Sequence, residues 1–372
     1  MPGSLRDRIH AWRVRLIADP RFQRWATAFP FTRPIATRKA RQLFDLCAGF
    51  VYSQVLSAVV RLKLLEALAD GPKPLAALAA SAGLDEDRAR RLLRAADGLD
   101  LISDRGGEIY ALGDLGAAVL GNAGVAEMIR HHATLYADLR DPVGLLSGAV
   151  ADTEMAKYWP YADGEGLDSM DAGQVADYSR LMAASQPMIA EDVLDAYDVS
   201  RHRQLMDVGG GAGGFAIAAA GRAPELQIRL VDLPQVAEIA RANMEAAGLG
   251  PRAQAIGHDF HRDTLPEGAD LVSLIRVCFD HADDTVVALL RAIRAVIAPG
   301  GTLILAEPMA GSPRPDPIGD AYFGFYLLAM GRGRCRRPEE LIALIETAGF
   351  RGARRRATRR PMLAGLITAT AD

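Results

Sequence analysis

The segment Met206-Asp-Val-Gly-Gly-Gly-Ala-Gly-Gly214 sets a carboxylate directly ahead of a run of glycines. Glycine lets a backbone turn tightly and lets a ligand approach with no Cβ in the way. Two more acids stand in comparable settings: Asp232 in Val231-Asp-Leu-Pro234, and Asp259, followed by Phe260, in Gly257-His-Asp-Phe260. A carboxylate at Asp232 can accept both hydroxyls of a ribose. Asp259 suits the exocyclic amine of an adenine whose face the Phe260 ring covers. Asp207 can orient an amine. Together these groups describe a pocket for an adenosine with an amino-acid tail, the outline of S-adenosylmethionine.

A nicotinamide dinucleotide is the competing ligand. Gly209, Gly211 and Gly214 satisfy G-x-G-x-x-G, and Asp232 follows at a suitable distance. Three features favour the methyl donor: Asp207 immediately precedes the loop, the Asp259-Phe260 pair has no place in the dinucleotide fingerprint, and the loop lies past mid-chain. A glycine loop with no ligand is the bland reading, and three acids at three strand ends weigh against it.

The elements that must position these groups form an alternating pattern. Strands are expected at 205–208, 227–231, 270–277 and 302–306, with helices at 214–223, 235–247 and 283–297 between them. That alternation predicts a parallel, doubly wound α/β sheet, which a last strand at 363–370 completes. Ahead of it, 43–68, 74–83 and 85–99 read as helices, Asp85 being a suitable N-cap. The Gly-rich stretch 101–110 reads as a hairpin. Three helices and a hairpin make a winged helix, used for DNA binding or for dimerisation. Residues 121–195 read as mainly helical. In residues 1–40, Leu5, Ile9, Trp12 and Leu16 recur at helical spacing among Arg6, Arg8, Arg13 and Arg15. Such an arm packs on protein or touches a membrane surface. The expected division is an N-terminal arm (1–40), a winged-helix and helical substrate-lining region (41–195) and a Rossmann-like catalytic domain (196–372).

The 372 residues are half apolar, with a net charge of −3. That suits a sizeable buried core and gives no global basic excess for nucleic acid. Arg88, Arg90, Arg91 and Arg94 on the third helix are diluted by Asp85, Glu86, Asp87 and Asp97, which speaks against a DNA-binding regulator. The three cysteines have no metal-ligand or disulfide spacing; no metal is expected, and a reducing cytoplasm fits. The N-terminus lacks a signal peptide's apolar stretch, and no run of 18 or more apolar residues reads as a membrane span. The run Arg351 to Arg360 reads as a solvated edge, with attraction to an anionic membrane as the alternative.

From about Phe44 to the C-terminus the chain resembles the small-molecule O-methyltransferases of the caffeic acid type. The motifs are Asp207-Val-Gly-Gly-Gly-Ala-Gly-Gly214, Val231-Asp-Leu-Pro234, Gly257-His-Asp-Phe260 and Pro299-Gly-Gly-Thr-Leu-Ile-Leu-Ala-Glu-Pro308. Within that superfamily it is similar to the hydroxycarotenoid O-methyltransferases of purple photosynthetic bacteria, through 24–34, 43–54, 131–139 and 319–330. The resemblance implies a winged-helix dimerisation domain, a homodimer, and S-adenosylmethionine held by Asp207, Gly209, Gly211, Asp232, Leu233, Asp259, Phe260 and Arg276. It implies an acceptor pocket lined by His132, Tyr136, Met182, Phe279, Tyr322, Phe325 and Tyr326. The implied acceptor is the tertiary hydroxyl of a 1-hydroxy acyclic carotenoid, a lipophilic molecule that leaves a peripheral membrane contact open. A bacteriochlorophyllide ring carbon and a plain phenol are the alternative acceptors.

One departure from the family concerns catalysis. The resemblance places the family's basic histidine at Phe279 and its following tryptophan at His281; a second family acid falls on Cys335, and a remaining one on Glu307. A phenylalanine accepts no proton. Either His281 serves from two positions away, or the reaction has no dedicated base and the proton leaves late, to water or Glu307; Glu307 otherwise orients the group used or satisfies backbone near the cofactor.

Overall fold

The computed structural model describes residues 4–158, 186–259, 263–361 and 363–372. It divides into two compact units, residues 1–120 and 121–372.

In the first unit, helices Leu5–Ala18 and Pro20–Ala28 lead into a helix of 29 residues, Arg33–Arg61. Helices Leu75–Ala82 and Glu86–Asp97 follow, the second capped by the Asp85 carboxylate on the Arg88 N–H at 2.8 Å. Strands β1 (Lys73–Pro74), β2 (Ile102–Asp104) and β3 (Ile109–Leu112) form an antiparallel sheet in the order β1-β3-β2. This is the expected winged helix, with β1 added to the hairpin. Buried Val59, Leu65, Leu78, Leu93 and Ile102 form its core. Three of the four arginines of helix Glu86–Asp97 are paired: Arg88 with Asp85, Arg91 with Asp87, and Arg90 with Glu86, Asp87 and Glu108.

Helix Arg33–Arg61 holds no uninterrupted run of 18 apolar residues, since Asp45 and Gln54 lie within its apolar stretch. This helix contains an 18-residue window apolar enough to cross a membrane by length and composition, and only 17% of that window is buried. Gly49, Ser53, Gln54 and Ser57 interrupt the apolar run without lowering its average enough. An exposed apolar face of this size marks a contact surface.

The second unit is built on a seven-stranded sheet of order β6-β5-β4-β7-β8-β10-β9. The strands are β4 (Gln204–Val208), β5 (Gln227–Asp232), β6 (Ala253–Gly257), β7 (Leu271–Ile275), β8 (Thr302–Glu307), β9 (Arg351–Arg356) and β10 (Gly365–Thr370). The sheet is parallel from β6 to β8 and antiparallel at β10 and β9. The all-parallel expectation is thereby corrected to a mixed sheet. A short return after β9 makes β10 a hairpin partner, which needs no crossover. The arginine run supplies edge strand β9; beyond it Arg359 pairs with Asp195 and Arg360 with Glu191 and Asp192.

Strand residues alternate between two cores. Leu205, Leu271 and Ile275 pack with Phe215, Ala219, Ala240 and Val193 on one face. Met206, Val208, Val272 and Leu274 pack with Leu290, Ile293, Leu341 and Ile345 on the other. The chain winds outward from β4 through β5 to β6, then returns to place β7 on the other side of β4. Ligands of open α/β sheets bind at that reversal, beyond the carboxyl ends of the strands.

Candidate active site

Parallel pairing brings the carboxyl ends of five strands to one edge of the sheet. Asp207 sits near the end of β4 and Asp232 ends β5; Asp259 follows β6, Arg276 follows β7 and Glu307 ends β8. Sequence separations of up to 100 residues collapse into one crevice because these five strands run the same way.

The glycine loop bridges β4 to the helix Gly214–Arg222. Gly211 has φ +56°, and a Cβ added there would meet nothing within 4 Å. The loop therefore turns with its backbone open to space at that point. Its N–H donates to Asp232 Oδ2 at 2.8 Å, while the Leu233 N–H donates to Oδ1 at 2.8 Å. Gly209, at φ +68°, leaves room for Val277, whose Cγ2 would stand 2.7 Å from an added Cβ. Burial still lifts the Asp232 carboxyl to about 6 against those two backbone donors.

Asp207 is fully buried. Ser273 Oγ donates to its Oδ1 at 2.6 Å, and its Oδ2 has no hydrogen-bond partner among the described residues. Burial raises its pKa to about 7; Ser273 opposes the shift and the Asp232 charge adds to it. A buried carboxyl oxygen with no donor is suited to a cationic one. These residues fit an adenosine with an ammonium-bearing tail: a carboxylate at a strand end for the ribose, an open glycine backbone, and a buried acid below. Phe260 lies outside the described residues. Asp259 is half-buried, with its N–H on Asp263 Oδ2 at 2.9 Å.

Arg276 has φ +60°, a left-handed backbone seldom adopted by a side chain of this length. Its N–H donates to the Ala306 carbonyl at 2.7 Å, and its guanidinium lies 5.8 Å from the Phe279 ring centroid. The charge of Arg276 is also felt by His131, Tyr322 and Asp280. This arginine is thus turned toward the aromatic group described next.

Phe279 is buried with Leu135, Met155, Phe323, Tyr326, Leu327 and Met330. Helix Ala123–Asp138 faces the π-helical turn Pro317–Phe323 and helix Gly324–Met330 across this cluster. Two histidine–tyrosine pairs cross it in parallel: His131 Nε2 to Tyr326 Oη at 2.8 Å, and His132 Nε2 to Tyr322 Oη at 2.7 Å. Burial lowers the pKa of both histidines, that of His131 to about 4 with help from His132 and Arg276. Burial pushes the Tyr322 phenol well above its ordinary range. The Tyr136 ring lies 6.0 Å from His132. Phe325 is half-buried on helix Gly324–Met330, while Met182 lies outside the described residues.

Beneath Phe279, its N–H donates to Glu307 Oε2 at 2.9 Å. Glu307 is fully buried, and its Oε1 has no partner among the described residues. Burial raises the carboxyl to about 8; Arg336 opposes the shift and Asp280 adds to it. Cys335 stands near, its thiol donating to the Pro308 carbonyl at 3.6 Å and pushed up to about 12 by burial and Glu307. His281 is half-buried, its carbonyl accepting from Arg336 Nη2 at 2.6 Å. Ser273, Asp280, His131 and Arg336 are additions that sequence reasoning did not single out. Arg336 is the most telling. Its side chain is fully buried and also donates to the Cys278 carbonyl and to Asp283, each at 2.8 Å, fixing the turn that carries Phe279. Only an arginine-rich stretch, 332–337, hinted at it.

Residues 144–351 match the O-methyltransferase domain, and residues 44–122 match the O-methyltransferase dimerisation domain. The chain is 44% identical to the demethylspheroidene O-methyltransferase of Cereibacter sphaeroides, covering 96% of this chain and 93% of that one. It is 40% identical to the demethylspheroidene O-methyltransferase of Rhodobacter capsulatus, covering 96% and 88%. Among solved structures, human N-acetylserotonin methyltransferase in complex with S-adenosylmethionine superposes with a TM-score of 0.71 at 25% identity, covering 89% of this chain and 97% of that one. The chain belongs to the O-methyltransferase family, with a helical dimerisation domain ahead of a Rossmann-like methyltransferase domain.

Proposed function

We propose that this O-methyltransferase carries a methyl group from S-adenosylmethionine to the tertiary hydroxyl of a 1-hydroxy acyclic carotenoid. The observation that carries the reading is the buried apolar cluster around Phe279, at the position where the resemblance expects a histidine. It is supported by relatives at 44% and 40% identity that share nearly the whole chain. The acceptor is lipophilic and comes from a membrane, and two copies of the chain pair through 44–122.

When bound, the cofactor supplies an electrophilic methyl group on sulfur. In this reading Asp232 takes the ribose hydroxyls, and Gly209, Gly211, Leu233 and Asp259 line the adenosine. Asp207 faces the amine of the amino-acid tail. Phe279, Tyr322, Tyr326 and Tyr136 hold the acceptor's hydroxyl end in line with the methyl group and keep water out; Phe325 extends the wall. Alignment alone is worth on the order of 7–11 kcal/mol in ideal intramolecular cases. A tertiary alcohol is too weak an acid for a histidine to deprotonate it in advance. Carbon–oxygen bonding makes the same proton strongly acidic, so a weak acceptor suffices once the bond is forming. The neutral His132–Tyr322 pair takes that proton. Glu307, protonated and tied to the Phe279 N–H, positions the turn, and His281 serves through its carbonyl.

Purified protein is incubated with labelled S-adenosylmethionine and, in competition, a 1-hydroxy carotenoid in detergent, a bacteriochlorophyllide and a catechol. Label on the carotenoid is expected. Label confined to either of the others would discard the acceptor assignment.

A further inference from the structure

We infer that the N-terminal arm, residues 4–41, docks the enzyme on an anionic lipid surface through an apolar stripe edged with arginine. In helix Leu5–Ala18, at 100° per residue, Leu5, Ile9, Trp12 and Leu16 share one line along the axis. Arg6 and Arg13 flank that line on one side, Arg8 and Arg15 on the other. No residue of this helix is buried, and Trp12 is 61% exposed. The next segment continues the surface as an aromatic ladder. The rings of Phe22 and Trp25 lie 5.6 Å apart, Trp25 and Phe29 5.1 Å, and Phe29 and Phe31 5.7 Å. Trp25 is 50% exposed and Phe31 83%.

Charge selects the occupant. Residues 4–41 hold ten arginines and lysines against two acids, in a chain whose net charge is −3. Among the described residues, no ion pair engages any of the ten. The rest of the chain is therefore acidic, and an anionic bilayer attracts the arm while repelling the body, which fixes which face approaches. Exposed aromatic rings beside arginines suit the headgroup boundary, where rings bury and guanidiniums reach phosphates. Arm-on-arm pairing of two copies is disfavoured because the two arms carry the same sign, and docking of the arm on a second copy's acidic body is one of the outcomes the test separates. The match to the dimerisation domain also begins at residue 44, beyond the arm. A nucleic acid would engage the arginines and leave the stripe in water.

The test is flotation of the full chain with phosphatidylcholine vesicles, with and without phosphatidylglycerol. It needs no acceptor, so its outcome is separate from that of the carotenoid reading. Binding is expected only with phosphatidylglycerol, and it weakens as salt shortens the Debye length. Each basic residue near an anionic surface contributes about fivefold in affinity. The combined variant Arg6→Gln, Arg8→Gln, Arg13→Gln, Arg15→Gln should therefore bind at least about a hundredfold more weakly. Two of the three tryptophans, Trp12 and Trp25, lie in the arm. Their emission should shift to the blue and be quenched by brominated lipid; with Trp12→Phe and Trp25→Phe together, that quenching should disappear. Unchanged melting and S-adenosylmethionine binding in the variants confirm that they fold. Equal flotation of wild type and the four-arginine variant would overturn the inference. So would a shift from dimer to monomer in that variant, or duplex DNA that outcompetes the vesicles.

Discussion

Replacing Glu307 with glutamine tests whether the buried acid at the end of β8 is a base or a neutral support. Its carboxyl is lifted from 4.5 to about 8, chiefly by burial. A folded-state pKa above the unfolded one means the proton binds the folded chain more tightly. The stability this contributes is complete below about 4.5 and drains away as pH rises toward about 8. The slope is about 1.4 kcal/mol per pH unit for one proton. Between pH 5 and pH 8, Glu307 alone should cost the wild type about 3 kcal/mol. Glutamine matches the protonated acid: its carbonyl can keep the Phe279 N–H, and its amide nitrogen takes the place of the unpartnered oxygen. In urea unfolding, Glu307→Gln should therefore equal the wild type near pH 5 and exceed it by about 3 kcal/mol near pH 8. A constant difference between the two proteins across that range would refute the reasoning. It would mean that Glu307 is ionised throughout and free to act as a base.

Asp232→Ala removes the two charged contacts expected for the ribose, at ~1.5–3 kcal/mol each. S-adenosylmethionine affinity by calorimetry should fall by about 10²–10⁴-fold, and an unchanged Kd would remove Asp232 from the cofactor site. Arg336→Met leaves the Cys278 and His281 carbonyls without their buried donor, a loss of about 3–5 kcal/mol. That corresponds to roughly 10 °C in Tm, and turnover should fall with it because the Phe279 turn loosens. His131 and His132 are held neutral by burial, and His281 is not the base, so the pH profile of kcat/KM near pH 6.5 should be the same in wild type and His281→Ala. His281→Ala should fall far short of the ~10² loss that removing a general base brings. An inflection near a histidine pKa that vanishes in His281→Ala would reinstate that residue as the base. Tyr322→Phe, by contrast, should lower kcat about tenfold, equivalent to 1.4 kcal/mol, with little change in cofactor affinity.

Much of the fold was legible because it rests on local patterns. The strands β4, β5, β7 and β8 and the helices between them stand within a few residues of where apolar runs and glycine stops placed them. Asp85 caps its helix as its type and position suggested. What escaped was decided by distant partners. The antiparallel setting of β10 depends on its pairing with β8 and β9, and nothing in 365–370 states a direction. The arginine run 351–356 reads as a solvated edge and is the terminal strand of the sheet, with none of its residues buried. The aromatic run 322–330 divides by helical periodicity: Phe323, Tyr326, Leu327 and Met330 enter the buried cluster, while Tyr322, Phe325 and Leu328 stay half-buried.

In the site, acids at strand ends were legible because parallel strands put their carboxyl ends together whatever their spacing. Asp207, Asp232 and Asp259 therefore stand at or just past strand ends, where the pattern pointed, and Glu307, named only through the resemblance, ends β8 beside them. The partners that tune them were not. Ser273 is an ordinary strand serine until β7 pairs with β4 and brings it to Asp207. Arg336 lies 58 residues from the carbonyl of Cys278 that it holds. The His131–Tyr326 and His132–Tyr322 pairs join residues 195 and 190 apart, and helix packing alone sets such distances.

The most direct test of the central claim is the structure of the product. The full chain is given S-adenosylmethionine with a deuterated methyl group and a 1-hydroxy acyclic carotenoid, and the product is examined by mass spectrometry and NMR. One deuterated methyl group on the oxygen at the tertiary carbon is the predicted result. A deuterated methyl on carbon, or a bound cofactor with no transfer to that hydroxyl, would contradict it.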